Sequence, residues 1–213
     1  MEYKTVAHVI AGHEMTLQIP SDPEAVLSAA VESGQEEGAA DPYWCLVWAA
    51  APHTAELILQ REWSPGLTGL EIGCGVGLAG IAAQKAGLDV TWSDYSEPAV
   101  EQALQNARAN GIADPRGLVL DWKSPTAQQY DLIFGSDILY DRSNHQPVLN
   151  VLSQMLAPGG QAWIGDMGRY ALEGFVKLAT DQRWNLNIVN EKGDPLSGPR
   201  HQSFQMLKLL PPE

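Results

Sequence analysis

Apolar and polar residues alternate at Met15, Leu17 and Ile19, and Gly12 stands where a tight turn would join that run to the one before it. A period of two is that of a half-buried strand, so residues 5–19 predict a β-hairpin. The period then lengthens. In SDPEAVLSAAV, the residues Val26, Leu27, Ala30 and Val31 share one helical face, with Asp22 at the N-cap and Pro23 at the first helical position. The glycine-rich, acidic stretch ESGQEEGAADP reads as a surface loop. We therefore expect a hairpin-and-helix extension over residues 1–40 and a main domain over residues 41–213.

From Tyr43 onward, short apolar runs alternate with helical periods. Pro52–Glu62 predicts a helix, Leu67–Ile72 a strand, Leu78–Ala86 a helix and DVTWSD a second strand. Ser96 caps a helix that turns Val100, Ala103, Leu104 and Ala107 to one side and closes at Asn110-Gly111. GLVLDW and YDLIFGSD are a third and a fourth strand, and Asn144–Leu156 a helix with Val148, Leu149, Leu152 and Met155 inward. Pro158-Gly159-Gly160 turns into a fifth strand, QAWIGDM; a helix over 171–181 and the strands NLNIVNE and SFQMLKLL follow. Such alternation implies right-handed crossovers and a mostly parallel sheet covered on both faces. Only KGDPLSGPR joins the last two strands, which suits an antiparallel pair. The expected fold is α/β: a Rossmann-like, doubly wound, mostly parallel seven-stranded sheet with an antiparallel last strand, plus the N-terminal hairpin and helix.

Composition narrows the classes of function. No run of 18 apolar residues occurs, so no membrane span is expected. MEYKTVAHVIAGHE lacks the basic-then-apolar pattern of a secretory signal, and Cys45 and Cys74 have no CxxC partner. Both read as free thiols in a reducing, cytoplasmic setting. The net charge of −13 argues against a nucleic-acid partner and suits a cationic one such as a lysine-bearing protein, although many soluble proteins are simply acidic. His13-Glu14 opens like HExxH but position 17 is Leu17, and the other histidines have no ligand spacing, so no metal is expected.

The candidate chemistry begins at LTGLEIGCGVGLAGIAA. Gly75-Val76-Gly77-Leu78-Ala79-Gly80 is a GxGxxG with Asp94 at the end of the next strand, a spacing a dinucleotide fingerprint also shows. Glu71 ends the first strand two residues before Gly73, where its carboxylate would repel a diphosphate and welcome an ammonium or sulfonium; alternatively it is solvated or paired with an arginine. S-adenosylmethionine carries a sulfonium and no phosphate. Asp121-Trp122 closes the third strand, where a carboxylate and an aromatic could meet adenine, unless Trp122 is plain core. Asp137 and Tyr140 follow the fourth strand at the carboxyl edge, where open α/β sheets bind ligands. Three apart, they would share one side of a helical turn; a capped strand-to-helix turn is the other reading. There is no YxxxK pair to support hydride transfer. His145 reads as a surface residue at a helix N-terminus, Arg169-Tyr170 as a solvated loop, and Cys74 as structural within the glycine loop.

EIGCGVGLAG, SDYSEPAV, DW and GSDILYD, in this order, resemble the seven-strand class I S-adenosylmethionine-dependent methyltransferases, and GSDILYD resembles the DxxY signature of the lysine-methyltransferase branch. DPYWCLVWAA is similar to the tryptophan-containing segment that precedes the glycine loop there, and the likeness runs from about Asp41 to Met167. Many relatives carry Trp-Pro-Gly or Trp-Pro-Ser where this chain has WAAAPHTAEL, so Trp48 is read either as a cofactor wall or as a helix-packing aromatic. The resemblance implies S-adenosyl-L-methionine as cofactor. It places Trp48, Glu71, Gly73, Cys74, Gly75, Gly77, Asp94, Tyr95, Asp121, Trp122 and Ser136 around that cofactor. It makes Asp137 and Tyr140 the catalytic pair, Asp137 orienting an incoming amine and Tyr140 walling it. The implied activity is N-methylation of a protein lysine by a monomer. A small-molecule acceptor, a nicotinamide-dependent oxidoreductase and a non-catalytic binding protein stay open at this point.

Overall fold

The computed structural model describes residues 2–32 and 42–212. Most of the acidic loop, with the division placed at residues 40 and 41, lies outside the described residues, as do the side chains of Leu27, Ala30 and Val31. Strands β1 (Tyr3–Ile10) and β2 (His13–Pro20) form an antiparallel pair. Ala11 and Gly12 join them with φ of 49° and 80°, the two positive values a tight hairpin turn needs. Helix α1 (Pro23–Glu32) begins where expected, and Asp22 Oδ1 accepts from the amides of Glu24 and Ala25 at 3.0 and 3.2 Å.

The remaining elements are α2 (Ala50–Leu59), β3 (Thr68–Ile72), α3 (Leu78–Lys85), β4 (Asp89–Asp94), α4 (Glu97–Ala109), β5 (Arg116–Val119) and β6 (Tyr130–Ser136). They continue with α5 (His145–Met155), β7 (Leu156–Asp166), α6 (Leu172–Asp181), β8 (Asn185–Val189) and β9 (Gln205–Leu210). Seven strands form one sheet in the order β5-β4-β3-β6-β7-β9-β8. The first five in that order run parallel; β9 runs antiparallel to both β7 and β8. The expected architecture holds, including the antiparallel last strand. The chain winds outward from β3 to β5 on one side and from β6 on the other. A crevice therefore opens at the carboxyl ends of β3 and β6.

One apolar layer, with Ile58, Ile81, Trp92 and Phe134, joins α2, α3 and α4 to the sheet; the other, with Leu149, Leu152 and Phe175, packs α5 and α6 on the opposite face. Met15, Leu17 and Ile19 belong to the first layer, so the hairpin shares the main core. Polar bonds fix it there. Asn106 donates to the carbonyls of Gln18 and Val76 and accepts from the Gln18 amide, and Asn110 exchanges both bonds with Thr16. The side-chain amides of α4 thus serve β2 as a neighbouring strand would, satisfying an edge that would otherwise be exposed.

Three of the boundaries that differ from expectation have a visible cause. Helix α2 starts at Ala50 rather than Pro52, because the Asp137 carboxylate accepts from the Ala50 amide at 2.8 Å. Strand β5 ends at Val119 rather than Trp122, because its partner β4 ends opposite it at Asp94. Strand β7 begins at Leu156, five residues early: Tyr130 pairs with Leu156 and Leu132 with Gln161, so the Pro-Gly-Gly stretch lies in a bulge rather than a turn.

Candidate functional site

The glycine loop between β3 and α3 holds its shape through backbone conformations that a side chain would disturb. Gly75 has φ 49°, and a Cβ there would lie 2.9 Å from the Trp44 carbonyl oxygen. Gly80 has no room for a Cβ, which would collide with Trp92 Nε1 and Glu71 Oε2. Gly77 caps α3 with its backbone, and its carbonyl accepts from Trp92 Nε1 at 3.3 Å. Its place is in the packing of helix on sheet.

Above the loop lies a cavity of about 300 Å³. On the side of the glycine loop it is lined by Gly73, Gly75, Asp94, Tyr95, Asp121 and Trp122, with Ser136 at the end of β6. Asp94 Oδ2 accepts from the Gly75 amide and Oδ1 from the Ser96 amide, both at 3.0 Å, so the strand-end acid ties the loop to the start of α4. Asp121 Oδ1 accepts from the Lys123 amide at 2.8 Å, a local turn that holds Trp122 against the loop, 3.4 Å from where a Gly73 Cβ would stand. The buried Trp122 Nε1 and Ser136 Oγ have no hydrogen-bond partner, which is costly for buried polar atoms and marks a place for a polar ligand.

The rest of the lining brings Trp48, Asp137 and Tyr140 to the same cavity, joined by Tyr43, Ile138 and Asn144, which the sequence did not single out. Residues 137–140 form a turn rather than a helical turn, with Asp137 at φ 58°. The Asp137 side chain is only 1% exposed and its oxygens are engaged: Oδ2 by the Ala50 amide, Oδ1 by Arg169 Nη2 at 3.0 Å. Arg169 Nη1 also donates to the Asp137 carbonyl at 3.0 Å. Arg169 is therefore no solvated loop residue. Its guanidinium lies 5.3 Å from the Trp48 ring centre and 5.8 Å from that of Tyr140. Nor does Asp137 present an open carboxylate to an amine, as its position in the sequence suggested.

Two further placements correct the sequence reading. Glu71 is 3% exposed and does not line the large cavity; with Cys74 it borders a satellite space of about 30 Å³ behind the loop. Its Oε2 accepts from the Gly80 amide at 3.0 Å, capping α3 from the neighbouring strand. Burial, with the Asp94 charge adding to it, pushes the Glu71 carboxyl well above the usual carboxylate range. The electrostatic case against a diphosphate thus passes from Glu71 to Asp94 and Asp121, two carboxylates in the wall beside the cation Lys123, with Asp137 already paired to Arg169. His145, the first residue of α5, is buried rather than at the surface; its Nε2 bonds the Leu139 carbonyl at 3.1 Å and its ring meets the edge of Phe175.

Sequence reasoning missed Asp166, at the end of β7. Fully buried, it accepts from the Gly168 and Arg169 amides at 2.7 and 3.0 Å and so aims Arg169 back at Asp137. Desolvation raises its pKa, with the Asp137 charge contributing. An acid at the carboxyl end of a central strand was the signal available. Among the described residues, no cluster of His, Cys, Asp and Glu could hold a metal, and no helix is long and apolar enough to cross a membrane.

Residues 70–162 match a family model described as a methyltransferase domain. Together with the strand order, that match decides the architecture. The fold is that of the class I S-adenosylmethionine-dependent methyltransferases. Over 142 residues the chain is 32% identical to a ribosomal protein L11 methyltransferase of Dechloromonas aromatica, covering 65% of this chain and 39% of that protein. Over 140 residues it is 29% identical to an electron transfer flavoprotein beta subunit lysine methyltransferase of Danio rerio, covering 62% and 53%. The chain thus spans about two-fifths to half the length of these two relatives. Among solved structures it is similar in fold to the N-methyltransferase NodS of Bradyrhizobium japonicum in complex with S-adenosyl-L-homocysteine. That likeness has a TM-score of 0.60 and 22% identity over 85% of this chain and 98% of that one.

Proposed function

We propose that this chain transfers a methyl group from S-adenosyl-L-methionine to a nitrogen, with a protein lysine as acceptor. The observation that carries the reading is the cavity at the carboxyl edge of β3 and β6, where acidic groups outnumber basic ones and aromatic rings form the rim. Its donor side suits a phosphate-free cation with an adenine ring: Asp94 for ribose hydroxyls, Asp121 and Trp122 for the edge and face of the base. Ser136 Oγ and Trp122 Nε1 gain polar partners there.

The cofactor, when bound, supplies an activated methyl on a sulfonium, so the protein's task is to position, desolvate and steer charge. Tyr43, Trp48 and Tyr140, exposed at the rim of the cavity, offer aromatic surface to the aliphatic stem of a lysine side chain. A free lysine has a pKa of about 10.4 and must arrive as the neutral amine; an aromatic, low-dielectric passage favours that form. Asp137, already ion-paired, positions Trp48 and Arg169 rather than taking the proton. A lysine acceptor also fits the net charge of −13 and the name of the Danio rerio relative.

The test is incubation with radiolabelled cofactor and a methyltransferase-deficient lysate, separated into protein and small-molecule fractions. Label on protein lysines is expected. Label confined to small molecules would replace the acceptor, and stabilisation by a nicotinamide dinucleotide but not by S-adenosylhomocysteine would overturn the activity itself.

A further inference from the structure

Two stretches distant from Arg169 in sequence, one at Trp48 and one at residues 137–140, converge on its guanidinium. Asp137 at the end of β6 gives it a carboxylate and a carbonyl, Trp48 before α2 and Tyr140 after β6 lie beside it, and Asp166 at the end of β7 holds its backbone. A buried carboxylate paired with a cation that also lies near two aromatic rings is a combination that binds organic cations. Trp48, Asp137 and Tyr140 all line the cavity, so this cradle opens on the space through which an acceptor would pass. The chain fills it with its own side chain.

We infer that Arg169 is the specificity-determining residue of the acceptor side: by occupying the cation cradle of Asp137, Trp48 and Tyr140, it keeps a second cation out and leaves the passage to the uncharged amine. The inference rests on the proposed methyl transfer to nitrogen. Three physical points support it. The Asp137 side chain is 1% exposed and that of Arg169 28%, so the pair is desolvated on the acid's side and the carboxylate is not shared with solvent. Arginine suits the place better than lysine, because its planar fork meets a carboxylate and a carbonyl together within reach of two aromatic rings. An ammonium entering the passage finds Asp137 already neutralised and meets the guanidinium's charge instead, so it gains nothing there by staying protonated. With the guanidinium removed, the cradle would trap that same ammonium as the charged, unreactive form.

The experiment empties the cradle and asks what refills it. In Arg169→Gly, guanidinium chloride at up to about 50 mM, against equal sodium chloride, is expected to bind with a dissociation constant on the order of 1–10 mM, raising Tm and changing tryptophan emission. The change should vanish in Arg169→Gly/Trp48→Phe and in Arg169→Gly/Asp137→Asn, and the parent chain should show none. If Arg169→Gly does not fold, refolding it in the two salts asks the same question: recovery only with guanidinium supports the cradle, and equal failure in both overturns it. Binding that survives loss of the Asp137 charge overturns it too. For selectivity, n-butylammonium at pH 7 should inhibit transfer to the lysate protein fraction at least about tenfold more strongly in Arg169→Gly than in the parent. Equal inhibition overturns the assignment to Arg169. A parent chain that labels no fraction refutes the methyl-transfer reading instead, and the salt titration still judges the cradle because it requires no turnover.

Discussion

The proposed donor side of the cavity draws on the glycine loop, on Asp94 at the end of β4 and on Asp121 just beyond β5. The acceptor side gathers Trp48, Asp137, Tyr140 and Arg169 from segments up to 121 residues apart, taking residue numbers alone. The first is built from backbone: amides at a helix start, positive φ at glycines, and Asp94 bonded to the Gly75 amide. The second is built from side chains that hold one another, with an ion pair at the centre. Backbone geometry is set locally and tolerates few residues. A side-chain cluster depends instead on the partners that the fold carries to it from elsewhere in the chain.

The sharpest way to break the comparison is at the ion pair. Asp137→Ala removes the partner of Arg169 and the cap of α2, and should cost about 3–5 kcal/mol in urea unfolding. It should abolish transfer while S-adenosylhomocysteine affinity stays near that of the parent; a parallel loss of affinity would show that the two sides are not separable. Next is Gly80→Ala, whose new methyl has no space between Trp92 and Glu71. It should cost about 1–3 kcal/mol and weaken the cofactor analogue, both read by thermal unfolding with and without ligand. Trp122→Ala, confined to the donor side, should weaken S-adenosylhomocysteine by about tenfold in calorimetry with little change in stability, by loss of the stacking face.

The smallest effect concerns Glu71. Its folded pKa lies above the usual 4.5, so the folded chain holds a proton that the unfolded chain releases. Its contribution is fully present below about pH 4.5 and is lost as pH rises towards the folded value. Glu71→Gln keeps an acceptor for the Gly80 amide and does not titrate, so its Tm relative to the parent should climb from pH 4.5 to 8. Asp166, raised in the same direction, leaves a residual slope in both proteins. A flat difference would show that Glu71 is ionised under α3.

Periodicity and turn chemistry were enough to read the hairpin, α1, the seven strands and the antiparallel end, because each depends on residues a few positions apart. Errors fell where a distant partner decides the outcome. Helix α2 starts two residues early because Asp137 caps it, and β5 stops short because β4 does. Glu71 illustrates the limit well. Its position at the strand end was legible, but the direction of its carboxylate depends on Gly80 lying underneath, and burial then disfavours the charge on which the sequence argument relied.

The sequence by itself determined the order of the elements, the glycine loop and the placing of Asp94 and Asp121 at the carboxyl edge, since local sterics and hydrogen bonding dictate them. Only the tertiary structure decided that Asp137 is paired rather than open, and that Arg169 is half-buried rather than solvated. It also decided that β2 leans on the amides of α4. The physical reason is common to all three. A buried polar group must find a partner, and which partner it finds depends on what the fold carries to it from elsewhere in the chain.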